Sequence, residues 1–214
     1  MMKIMESPIS FEGENFNTIC DLLAERDNNF RNVITRYGYP PIWKRDNTFE
    51  AIVHIILEQQ VSLASALAHL NKLKERVGEI TPSSILALTD DEMRNNFISR
   101  QKAKYIRGVA RAILNRELDL NTLSKLSDDE VRGQLIKLKG IGNWTIDIYL
   151  MLVLQRSDIF PIGDLAIVTA IKKLKNLGQN MSNENLLRIA DSWKPYRTVA
   201  TMILWHFYLS TSKS

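Results

Sequence analysis

A chain of 214 residues, 45% of them hydrophobic and 24% charged, can bury one substantial core or two small lobes. Its single cysteine, Cys20, excludes an internal disulfide and a four-cysteine iron–sulfur cluster. A net charge of +4 admits a polyanionic partner without demanding one. No stretch is apolar for long enough to span a membrane, and Met1 to Glu14 lack the apolar core of a signal peptide, so a soluble intracellular protein, cytoplasmic, nucleoid or nuclear, is expected.

From Asn15 onward the apolar residues recur at helical spacing, and alternating runs bounded by hairpin turns are missing. The chain reads as all-α. Ile19, Leu22 and Leu23 mark a first helix, and Phe30, Val33 and Ile34 a second that stops near Gly38. Tyr39-Pro40-Pro41-Ile42-Trp43 cannot continue it, because proline lacks an amide donor and restricts the residue before it. Thr48 caps a helix through Gln59, and Ser62 starts another that Gly78 ends.

Thr81-Pro82 and Thr89-Asp90-Asp91-Glu92 are two further helix starts. Ser99 to Arg116 is a long amphipathic helix with Ala103, Ile106, Val109, Ala110 and Ile113 inside. Arg100, Lys102, Lys104, Arg107 and Arg111 form its basic outer face. Ser127-Asp128-Asp129-Glu130 has the pattern of a capping box. An apolar, buried helix follows from Asn143 to about Gln155, then helices from Asp164 to about Leu177, Asn183 to Trp193, and Pro195 to Leu209. No repeat or long linker divides the chain.

Between the capping-box helix and the apolar one lies Leu138-Lys139-Gly140-Ile141-Gly142-Asn143-Trp144-Thr145. Two glycines there imply a tight hairpin whose bare amides face outward at a helix start, a phosphate site. His54, His69 and His206 lie in separate segments without cysteines or paired carboxylates at ligand spacing, so no zinc site is read.

This hairpin, followed by Phe160-Pro161-Ile162-Gly163-Asp164-Leu165-Ala166-Ile167, resembles the helix-hairpin-helix DNA glycosylases, and within them the alkylation-repair 3-methyladenine glycosylases. Ile55-Ile56-Leu57-Glu58-Gln59-Gln60-Val61-Ser62 is similar to that family's first interior helix turn. Trp193-Lys194-Pro195-Tyr196-Arg197-Thr198-Val199-Ala200, with Trp205, is similar to its last helix. The likeness runs from about Tyr37 to about Tyr208.

The resemblance implies a fold of two helical lobes, 48–156 (with the hairpin at 136–145) and 1–47 plus 157–214, with the active-site cleft between them. Fewer than fifty residues precede the matched core, so the extra β-rich domain of some relatives is not expected. It also implies a monomer that acts on damaged double-stranded DNA, without a membrane. Asp164 takes the catalytic position, although Gly163-Asp164-Leu165 would also serve simply as a helix cap. One carboxylate suffices when alkylation has already made the base a cationic leaving group.

Trp144 and Trp205 take positions that line the base pocket, and Trp43 adds a third wall; ordinary core packing is the competing account of each. Strand-cleaving relatives carry a lysine where Trp144 stands, so base removal without strand cleavage is implied. Gln60 takes the wedge position beside Gln59, where relatives are frequently apolar, and a solvated turn residue is the plainer reading. Gly140, Gly142, Lys139, Gln59 and Gln60 are expected to bind DNA, and Lys137, Lys172 and Lys173 to add long-range attraction, although any of these lysines reads by default as a solvated surface charge. The resemblance also implies a monovalent cation on the carbonyls of Ile136, Leu138 and Ile141, and no other cofactor. Two other readings stay open: removal of oxidised or deaminated bases, and lesion binding without catalysis.

Overall fold

The computed structural model describes Phe11 and residues 13–211. Apart from Phe11, Gly13 and Glu14, the stretch Met1 to Glu14, expected not to be a signal peptide, lies outside these residues. Thirteen α-helices and one 3-10 turn account for the regular structure of the described residues, which contain no sheet. None of these helices is long and apolar enough to cross a membrane.

The helices are α1 Gly13–Arg26, α2 Asn28–Tyr37, α3 Phe49–Glu58, α4 Leu63–Val77, α5 Pro82–Ala87, α6 Asp90–Asn95 and α7 Arg100–Leu114. They continue with α8 Leu120–Leu123, α9 Asp128–Leu135, α10 Asn143–Leu152, α11 Leu165–Leu174, α12 Asn183–Ala190 and α13 Arg197–Thr211. The 3-10 turn Asp191–Trp193 follows α12. Most starts expected from sequence are capped as written: Thr48, Ser62, Thr81, Thr89, Ser99 and Ser127 each accept an amide of their own first turn. Such caps are local, and sequence alone carries them.

The chain forms two compact units, one from Arg45 to Tyr149, the other from the residues up to Lys44 and those from Leu150 onward. The later boundary falls inside α10, where the sequence suggested Arg156. Residues 145–153 are all buried, so the helix presents no polar face at which a unit could end.

In the Arg45–Tyr149 unit α3 packs on α4 and α7, and α7 also receives α5 and α6. In the other unit α13 packs against α1, α2 and α11. Its largest fully buried side chain is Trp193, whose ring lies 4.9 Å from that of Phe30 and 5.9 Å from that of Phe160. The Trp193 indole N–H donates to Asp27 at 3.1 Å, and Lys175 meets the same carboxylate oxygen at 2.6 Å. A buried charge is tolerated because both a cation and a neutral donor satisfy it.

One sequence expectation needs correction, and one helix was not expected. Ile113 is only half-buried, and Ala112 takes its place on the inner stripe of α7. The single turn α8, capped by Asp119, went unread because four residues are too few to establish a period.

Candidate active site

The hairpin belongs to the Arg45–Tyr149 unit. After α9 the chain turns through bonds from Leu138 N to Leu135 O (3.0 Å) and Ile141 N to Leu138 O (3.1 Å). Gly140 sits at φ +88°, and a Cβ there would lie 2.1 Å from the Tyr105 ring of α7. Glycine is required twice over, by backbone conformation and by the aromatic face beneath it. Gly142 differs: its φ is ordinary and a Cβ would meet nothing within 4 Å. Its carbonyl accepts the Ile146 amide at 3.0 Å, which makes Gly142 the cap residue of α10, with no side chain to cover the amides that follow.

Gly142, Asn143, Lys137 and Lys139 are exposed around this turn. Lys172 is differently employed, donating to Gln179 O at 2.7 Å after α11, and the Lys173 amine lies 5.8 Å over the Phe207 ring. Those two lysines therefore serve their own unit. Sequence grouped them with the hairpin by charge alone.

The turn after α3 comes from the same unit. Gln60 is exposed and held at φ +59°, a left-handed conformation that a residue with a Cβ rarely adopts. Gln59 was read as a DNA contact, yet its side-chain amide turns inward, donating to Gly140 O at 3.0 Å and to Thr145 Oγ1 at 2.9 Å. Lys102 is not on an outer face either, because its amine reaches Leu57 O at 2.7 Å. Burial pushes its pKa below the ordinary lysine value. Sequence reasoning missed Tyr105 and Thr145 as supports of this region, since contacts so distant in the chain leave no local pattern.

Asp164 lies in the other unit. It opens α11 with φ −85° and ψ 115°, and its Oδ1 accepts the Ile167 amide at 3.0 Å. The approach is tied down from behind: Asp164 N donates to Pro161 O at 2.8 Å and Ile162 N to Phe160 O at 3.0 Å. Thr198, fully buried on α13, donates to Arg156 O at 2.5 Å and accepts from Ile159 N at 3.1 Å. Arg197 grips both carboxylate oxygens of Asp158 at 2.8 and 2.9 Å. The sequence motif gave the aspartate; the clamp that holds its loop comes from Asp158, Arg197 and Thr198.

Trp43 and Trp205 meet edge to face, ring centres 5.9 Å apart and planes at 83°. Both are half-buried, as is Trp144 in the first turn of α10 within the Arg45–Tyr149 unit. Partial exposure sets these three apart from Trp193, which is wholly inside.

No cluster of histidine, cysteine, aspartate and glutamate that could hold a metal ion occurs among the described residues. The donors implied for a monovalent cation are of another kind, the neutral carbonyl oxygens of Ile136, Leu138 and Ile141, and such hard donors suit it. Leu138 O accepts one amide and keeps a second lone pair; Ile136 is half exposed at the turn.

The family model for the HhH-GPD superfamily of base excision DNA repair proteins matches residues 53–195. The chain belongs to that superfamily. Among HhH-GPD relatives it is 31% identical over 169 residues to a Bacillus subtilis protein named DNA-3-methyladenine glycosylase, covering 73% of this chain and 56% of that one. The chain thus spans little more than half the length of that relative. It is 36% identical over 141 residues to a Sulfolobus acidocaldarius protein named Endonuclease III, covering 64% of this chain and 60% of the other. The solved Schizosaccharomyces pombe 3-methyladenine DNA glycosylase (Mag1), in complex with abasic DNA, superposes with a TM-score of 0.83 at 26% identity. That match covers 92% of this chain and 97% of Mag1.

Proposed function

We propose that this HhH-GPD protein is a DNA glycosylase that hydrolyses the N-glycosidic bond of alkylated purines, of the 3-methyladenine and 7-methylguanine type, in duplex DNA. The observation that carries the reading is Asp164, a carboxylate fixed by its own helix amide in a loop locked by Thr198. Cleavage develops positive charge on the sugar, and a preorganised carboxylate stabilises it without reorganising. The electron pair of the breaking bond leaves with the base and neutralises its alkyl-cationic charge. Water adds to the sugar carbon and releases a proton, leaving an abasic site.

Trp144, Trp205 and Trp43 supply electron-rich faces for a cationic ring, and stacking of this kind tolerates several alkylated purines. Gly140, Gly142 and Lys139 hold a phosphate at the start of α10, and Gln60 enters the stack where the nucleotide leaves it. The likeness to a protein named Endonuclease III supports a second reading, removal of other damaged bases with strand cleavage. Trp144 opposes it, because an indole cannot form the iminium that strand cleavage through a lysine requires.

Incubation with methylated duplex DNA, followed by chromatography of the released bases, tests the proposal. Free 3-methyladenine and 7-methylguanine are expected. Release only of oxidised or deaminated bases from a mixed panel would transfer the assignment, and lesion binding without any release would reduce the protein to a binder. Borohydride should trap no protein–DNA adduct; a trapped species overturns the account of Trp144.

A further inference from the structure

The geometry points to Gln59 and Lys102 as positioning residues that brace the Gln60 turn against the phosphate hairpin, so that grip on the backbone and insertion at the lesion act as one rigid piece. This inference rests on the reading of Gln60 as the wedge. Its basis is a closed circuit within the Arg45–Tyr149 unit. Gln59 joins the end of α3 to the hairpin through Gly140 O and Thr145 Oγ1. Lys102 joins the same helix end to α7 through Leu57 O. The Tyr105 ring of α7 lies beneath Gly140 and closes the third side.

A fourth tie acts on the residue before the turn. Glu58 is buried and gripped by Arg45 at 2.5 and 3.0 Å. Every residue from Leu57 to Gln59 is therefore fixed by a side-chain contact from far along the chain, whereas Gln60 is exposed and held in a left-handed conformation. A residue in that conformation persists when its neighbours over-determine it. Lys102 also places positive charge at the C-terminal end of α3, where the helix carbonyls favour it.

Gln59→Leu removes both bonds at little cost in volume, and Lys102→Met keeps the stem while removing the charge, so each tests the brace if the other fails to fold. Single-turnover base release from a paired duplex lesion should fall about tenfold to a hundredfold in Gln59→Leu, the range that misplacement by about an ångström produces. Release from a lesion in an unpaired bulge, already outside the stack, should stay near the unsubstituted rate. In a Gln60→Ala background Gln59→Leu should cost nothing further, because it acts through the residue already removed.

Equal rates on the paired duplex, equal losses on both substrates, or additive losses with Gln60→Ala would each overturn the brace. If the unsubstituted protein releases no base, the glycosylase reading alone fails. Amide exchange at residues 60–62 in the free protein then decides, with exchange about tenfold faster expected in Gln59→Leu. Unchanged exchange would end the proposal.

Discussion

Two helix starts in this molecule solve the same electrostatic problem in opposite ways. At α11 the side chain of Asp164 covers the Ile167 amide, so the chain supplies its own negative charge. At α10 the cap residue is Gly142, which offers a carbonyl to Ile146 and nothing to the amides that follow. One start is covered by the side chain of its own cap residue, and at the other the cap residue has no side chain to offer. On the proposed function, the fixed carboxylate at α11 would stabilise charge developing on the sugar, and the start of α10 would receive a backbone phosphate.

The comparison breaks most severely if Asp164 is only a cap. Asparagine caps nearly as well as aspartate, so Asp164→Asn should melt within about 1 kcal/mol of the unsubstituted protein. Its single-turnover base release should nevertheless fall by about a hundredfold or more, as loss of a preorganised charge-stabilising group does. Unchanged release alongside unchanged melting would return Asp164 to a purely structural role.

The two hairpin glycines sharpen the contrast next. Gly140→Ala forces a Cβ into the Tyr105 ring and a left-handed φ, and should cost about 2–4 kcal/mol in denaturant unfolding. Gly142→Asp meets open space, and should instead stabilise α10 by roughly a few tenths of a kcal/mol, because it imitates the cap of α11. The same substitution should weaken binding to abasic duplex and flatten its salt dependence, measured by fluorescence anisotropy across a salt series. Tighter binding would show that no phosphate approaches there.

The smallest effect distinguishes the two units by acid. Burial, then the charge of Arg45, lowers the His54 pKa, while Glu58 and Glu50 pull the other way. Below about pH 6.5 the unfolded chain therefore takes up a proton that the folded unit resists, and stability falls as pH drops. Burial pushes the Asp27 carboxyl up, but its bonds from Lys175 and Trp193 outweigh that and leave its pKa lowered. Its contribution is intact until pH falls below about 4. Hydrogen exchange between pH 6.5 and 5 should loosen the Arg45–Tyr149 unit first, and His54→Gln should erase the difference.

Helix content and most caps could be read from sequence because they depend on neighbours three or four residues away. Thr48, Ser62 and Ser127 needed nothing else. Asp164 and the tryptophans are singled out by motif, and only as proposals. Supports that reach across the chain escaped: a lysine at position 102 reads as solvated until its stem is seen to cross to Leu57, and Gln59 reads as a contact surface until both its amide bonds turn inward. The apolar character of α10 was plain, yet no periodic pattern tells where along such a helix one compact unit gives way to another.

The buried trio of Asp27, Lys175 and Trp193 has a practical bearing on how the protein can be shortened. Its members are drawn from 27, 175 and 193, so a fragment trimmed to the family-matched span, 53–195, would keep the lysine and the indole and discard the acid they share. Such a fragment would also lack α1, α2 and α13, and should aggregate on expression. The homology boundary marks what relatives have in common, and the self-sufficient piece is larger.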